Sequence, residues 1–146
     1  MAEKSLYSTH VMNHDGLTGT TYVEGNEGLT LGVSSSLMDA PGTNPEQFIG
    51  FAVSTCFNGT IRLVEERKKL PQESTIRTTV DIVKDAVGYK FVVHAQIKFD
   101  TLDKSTASGV VDAALDECPV AKLIKANADV FFEIVDDFDS DPTLGE

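Results

Sequence analysis

Two cysteines carry most of the chemistry that this chain can offer. Cys56 sits in the middle of a strongly apolar helix, within the uncharged run Phe48-Ile49-Gly50-Phe51-Ala52-Val53-Ser54-Thr55-Cys56-Phe57, and Cys118 stands directly before Pro119. They are the chain's only cysteines, 62 positions apart. In a reducing compartment a cysteine pair is more often catalytic or metal-binding than structural. The three histidines, His10, His14 and His94, join them in no CxxC or HxxxH spacing, so metal binding is the weaker reading and no cofactor is expected. Redox chemistry is the sharper one. Taken singly, Cys56 also fits a small core hydrophobe and Cys118 an inert thiol. Glu46 reads as a first-turn helix carboxylate, and His14 as a turn residue facing water.

The elements that must position these groups follow from punctuation and period. Ser5 to Val11, Thr20 to Glu24 and Leu29 to Val33 predict three short strands, with turns at Asn13-His14-Asp15-Gly16 and Glu24-Gly25-Asn26-Glu27-Gly28. A loop from Ser34 to Thr43 leads to a helix start at Asn44-Pro45-Glu46-Gln47. Asn44 caps, Pro45 suits the first helical position, and Gln47 can reach back as in a capping box. The helix runs to about Lys69, before Pro71. Its first half has no charge and predicts burial on every side; its second half, from Arg62 on, predicts emergence into water. Alternation over Ile76 to Ile82 and Tyr89 to Phe99 predicts a long hairpin turning at Lys84 to Gly88. Asp103 to Glu117 predicts a second helix, stopped by Cys118 before proline. Pro119 to Lys125 predicts a short third helix and Val130 to Val135 a last strand. The order βββ-α-ββ-α(α)-β is an α+β layout.

The length of 146 residues fits one domain, with an acidic tail from about residue 136. A net charge of -11 argues against a nucleic-acid or anionic-membrane footprint. From Ala126 to Glu146 there is no Lys or Arg. No apolar run approaches the roughly 20 residues of a membrane span, and Met1-Ala2-Glu3-Lys4-Ser5 lacks a secretory apolar segment. The expected compartment is the cytoplasm.

Gly42-Thr43-Asn44-Pro45-Glu46-Gln47, then Cys56-Phe57, and a late Cys118-Pro119 resemble the OsmC/Ohr superfamily, the osmotically inducible and organic hydroperoxide resistance proteins. The likeness runs from about Tyr7 to Val135 and includes the element order. It implies an OsmC-like fold, with strands at both ends of the chain packed around a long buried central helix, in an intertwined homodimer. It implies a cysteine-based peroxidase that reduces organic hydroperoxides, with Cys56 peroxidatic, Cys118 resolving and Glu46 the active-site carboxylate. It further implies a dithiol reductant such as a lipoylated protein. At one position the chain departs from the pattern. The family's arginine, usually in a Gly-Arg-Asp-Gly turn, corresponds to His14 in Asn13-His14-Asp15-Gly16, and no Arg precedes Arg62. A non-peroxidase binding or redox-sensing module lacking the activating arginine is therefore the alternative.

A thiol with a pKa of about 8.5 is mostly protonated at neutral pH, and burial raises that value. Three turns into its helix, Cys56 gains little from the dipole and needs a cation. Arg62 is six positions along, about 600° of rotation, and points elsewhere. His14 is charged only part of the time unless a carboxylate such as Glu46 raises its pKa, which predicts a weaker, more pH-dependent site. Glu46 is ten residues from Cys56, about 15 Å of helical rise, so a bent helix or the partner chain must bring them together. Phe48, Phe51 and Phe57 are candidate walls of an apolar substrate pocket.

Overall fold

Short apolar runs broken by Asn, Asp and Gly fold as short strands, and the first 48 residues contain three. The structure, a computed structural model, describes residues 3–25 and 28–138. Residues 1–48 and 49–146 cluster as two compact units. In the first, β1 (Val11–Asn13), β2 (Thr20–Val23) and β3 (Thr30–Gly32) form an antiparallel sheet in that order. The turn between β1 and β2 is closed by Asn13, which donates to the Gly16 carbonyl at 2.9 Å and accepts from its N–H at 2.8 Å. Gly16 takes the left-handed conformation (φ 67°) that this turn needs. The strand expected over Ser5 to Val11 is instead Val11–Asn13, because β2 offers only Thr21 to Val23 as its partners. Asn26 and Glu27 of the second expected turn lie outside the described residues, as do Met1-Ala2 and the tail acids Asp139, Asp141 and Glu146. The 34–43 loop is pinned at its end, where Ser34 N–H donates to the Thr43 carbonyl at 2.8 Å.

The helix α1 (Pro45–Arg67) opens as expected, with the Asn44 side chain accepting from the Gln47 N–H at 2.9 Å. Gln47 does not reach back to Asn44; its carbonyl accepts from the Thr43 hydroxyl at 2.6 Å. The helix ends two residues short of Lys69, which adopts a left-handed φ of 58° while Leu70 N–H returns to the Glu65 carbonyl.

In residues 49–146, β4 (Thr75–Lys84) and β5 (Tyr89–Lys98) pair antiparallel along their whole length. The strand β6 (Val130–Ile134) lies parallel to β5, giving the order β4-β5-β6. A parallel neighbour requires a crossover, and α2 (Lys104–Glu117) and α3 (Pro119–Ile124) supply it. Asp103 caps α2 by accepting from the Thr106 N–H at 2.7 Å. The core joins Phe57, Ile61 and Val64 of α1, Ile97 of β5, Val110 and Ala114 of α2, Cys118 and Ala121. Burying each large apolar side chain contributes about 1.5–3 kcal/mol.

Within one chain, α1 is buried on one face along its length and open on another. Phe51, Thr55, Gly59 and Leu63, four apart, form an exposed stripe, with Phe51 65% and Leu63 62% exposed. The second half does not simply emerge, because Val64 continues the apolar face of Phe57 and Ile61 at helical spacing and all three are fully buried. Glu65 is buried with them. Its carboxylate accepts from Ser74 Oγ at 3.3 Å and the Glu73 N–H at 3.4 Å, and lies 3.9 Å from Arg62 Nε. Burial raises its pKa, opposed by these three neighbours.

Candidate active site

Two helices bring the cysteines together. Cys56 sits in mid α1, partly buried, and Cys118 is fully buried at the corner between α2 and α3. The proline rule shapes that corner. Cys118 is extended (φ −69°, ψ 123°), so α2 stops there and α3 starts with Pro119 in its first turn. The Cys118 N–H still closes α2 on the Ala114 carbonyl at 2.8 Å, and its carbonyl accepts from Lys122 N–H at 2.9 Å. Its thiol points at Cys56, with the sulfurs 3.4 Å apart. Both are free thiols. A disulfide needs the sulfurs at about 2.05 Å, closer than they stand here.

The first turn of α3 faces both sulfurs. Ala121 N–H lies 3.5 Å from Cys118 Sγ, and the main-chain amide of Val120 favours the Cys56 thiolate. Burial nonetheless pushes the Cys56 thiol above its ordinary pKa; the Val120 N–H opposes this, and the Cys118 thiol adds to it. Arg62 is committed elsewhere, donating to the Gln72 carbonyl and to the Ser74 carbonyl at 2.8 Å. An open cavity of about 580 Å³, lined by Ser54, Thr55, Asn58, Arg62, Ser74 and Ile76 among others, lies on another face of α1; neither cysteine lines it.

The remaining predicted residues fall as follows. Glu46 occupies the first turn of α1. The His14 side chain is 96% exposed and its Nδ1 sits 2.8 Å from Asp15 Oδ1. Phe48 is partly buried, Phe51 exposed, and Phe57 fully buried, with its ring 4.8 Å from that of Phe132. Glu46 and His14 belong to residues 1–48, the two cysteines to residues 49–146. Sequence reading missed two features of the corner. One is the Val120 amide, which as main chain has no side-chain signature. The other is a paired contact between Arg67 and Glu117, 50 residues apart and so without a local pattern. Among the described residues, no group of three His, Cys, Asp or Glu is placed to hold a metal.

Residues 38–133 match the family model described as OsmC-like protein, and the chain belongs to that family. It is 31% identical over 134 residues to the organic hydroperoxide resistance protein of Xanthomonas axonopodis pv. citri, covering 88% of this chain and 94% of that one. It is 30% identical over 98 residues to the peroxiredoxin OsmC of Escherichia coli K12, covering 64% and 68%. Among solved structures, a Lactobacillus casei protein aligns at 36% identity and TM-score 0.86, over 94% of this chain and 96% of that one. The Bacillus subtilis organic hydroperoxide resistance protein OhrB aligns at 26% identity and TM-score 0.80, over 90% and 100%. The mixed α+β architecture, with two sheets and three helices, is the one these relatives share.

Proposed function

We propose that the protein is a cysteine-based peroxidase that reduces organic hydroperoxides. The observation that carries this reading is the approach of Cys118 Sγ to within 3.4 Å of Cys56 Sγ in one chain. The names of its relatives, organic hydroperoxide resistance protein and peroxiredoxin, supply the substrate class. The Cys56 thiolate attacks the O–O bond, taking one oxygen as a sulfenic acid and releasing the alcohol. The Cys118 thiol then displaces water from that sulfenic acid, and the disulfide forms. An external dithiol, such as a lipoylated protein, returns both thiols.

The working unit in this proposal is a homodimer. The exposed Phe51-Thr55-Gly59-Leu63 stripe supports it, as an apolar helix face of this kind calls for cover. Ten residues of continuous helix, about 15 Å of rise, separate Glu46 from Cys56. The carboxylate serving each Cys56 is then Glu46 of the partner subunit, with His14 in the arginine's role and Phe48 and Phe51 toward the substrate. Phe57, fully buried in the core against Phe132, is not proposed as part of that wall.

One observation favours a second reading, a binding or redox-sensing module. Burial raises the Cys56 pKa, and the activating arginine is replaced by His14. Stopped-flow turnover of cumene hydroperoxide with dihydrolipoamide separates the two. Catalysis lost in Cys56→Ser supports the peroxidase; turnover no faster than the free dithiol alone overturns it.

A further inference from the structure

The corner that carries Cys118 is held from both sides. Arg67, the last residue of α1, grips Glu117, the last of α2, through two parallel hydrogen bonds: Nη1 to Oε1 at 3.0 Å and Nη2 to Oε2 at 2.6 Å. Beyond the corner, Lys125 Nζ turns back to donate to the Leu115 carbonyl at 3.0 Å and lies 3.6 Å from Asp116 Oδ1. Arg67 and Glu117 stay 56% and 41% exposed, so neither is there to fill the core. A forked guanidinium–carboxylate pair fixes direction as well as distance. Here it ties the residue next to Cys118 to the helix that bears Cys56, and neither partner is among the groups contacting the sulfurs.

Resting on the peroxidase reading, we propose that the Arg67–Glu117 pair is a positioning device for the resolving step. It keeps Cys118 within reach of the Cys56 sulfenic acid and so sets how closure competes with overoxidation. In closure, Cys56–SOH and Cys118–SH give the disulfide and one water. In overoxidation, a second hydroperoxide gives its oxygen to Cys56–SOH, leaving the sulfinic acid and an alcohol. Only the second route consumes peroxide, so slower closure lowers the peroxide concentration at which half the chains are overoxidised. The first oxidation of Cys56 needs neither Arg67 nor Glu117.

The test is a single turnover of the reduced protein with cumene hydroperoxide, quenched over time. Dimedone trapping reads the sulfenic acid, and peptide mass mapping reads the disulfide and the sulfinic acid. In Arg67→Gln and Glu117→Gln, sulfenic acid forms at the wild-type rate while closure slows roughly three- to fivefold, as expected for a well-formed exposed ion pair. The half-overoxidation concentration falls by the same factor. The Arg67→Glu/Glu117→Arg double variant recovers closure to within about twofold of wild type, since a true pair couples non-additively. Added KCl slows closure in wild type and leaves it unchanged in the Gln variants. Closure and overoxidation indifferent to both Gln variants, with sulfenic acid still formed, overturn the positioning role alone. A wild-type protein that yields no sulfenic acid overturns the peroxidase reading, and this proposal with it.

Discussion

Residues 49–146 bring Phe57, Ile61, Val64, Ile97 and Val110 to zero exposure, whereas among the described residues up to 48 only Val33 and Ser34 are buried. In that first unit Leu6, Tyr7 and Val11 stand 95%, 82% and 61% exposed. The difference separates two jobs. The thiol pair is assembled by packing within residues 49–146 and is held by a core of its own. The residues proposed to activate it, His14 and Glu46, belong to the unit that buries little. A second copy of this chain is the cover proposed for the apolar side chains left open.

The comparison breaks most sharply at the sulfur. Cys56→Ser is expected to lower peroxide turnover by at least about a hundredfold, to the rate of the free dithiol. Turnover that survives it removes the thiol pair from the centre of the account. Next comes the core that positions the pair. Phe57→Ala is expected to cost about 3–5 kcal/mol in urea unfolding, whereas Gly16→Ala, in the left-handed turn of the first unit, costs about 1 kcal/mol. Equal costs would erase the contrast between the units. Third, Phe51→Glu on the exposed stripe should raise a dimer dissociation constant by about a hundredfold in sedimentation experiments. No change would mean that the stripe is not the interface.

The smallest expected effect concerns pH. Because burial holds the Cys56 pKa above its ordinary value, the reactive thiolate is scarce at neutral pH. The rate of Cys56 oxidation should climb with pH, by up to about tenfold per unit, and level off only above the raised pKa. The linked stability runs the other way. The native state holds this proton more tightly, so the stabilisation is full below the unfolded value of about 8.5 and is lost as pH rises through the folded pKa. His14→Arg is expected to raise the neutral-pH rate by roughly tenfold and flatten the profile, since a fixed cation favours the thiolate. An unchanged profile would place position 14 outside the site.

Local chemistry was legible in the chain. Asn44-Pro45 marked the start of α1, strict alternation marked the β4–β5 hairpin, and Cys118-Pro119 marked the helix break, because each acts within a few residues. What depended on distant partners was not. Glu65 looked like a solvated charge until Ser74 and Glu73 supplied its hydrogen bonds. The open side of α1 was hidden because an uncharged run has the same pattern whether its cover comes from its own chain or from another. The parallel pairing of β6 with β5 and the ion pair of Arg67 with Glu117 likewise leave no local trace. At the site, the cysteine contexts pointed to both thiols, while the Val120 amide beside Cys56 had nothing in its side chain to announce it.

The most direct measurement is the fate of the thiols after one equivalent of cumene hydroperoxide is added to fully reduced protein. Peptide mapping and a non-reducing gel should find one disulfide, Cys56 to Cys118 within a single chain, and no covalent dimer. Oxidation that leaves Cys118 free, or links Cys56 between chains, would contradict the one-chain redox pair.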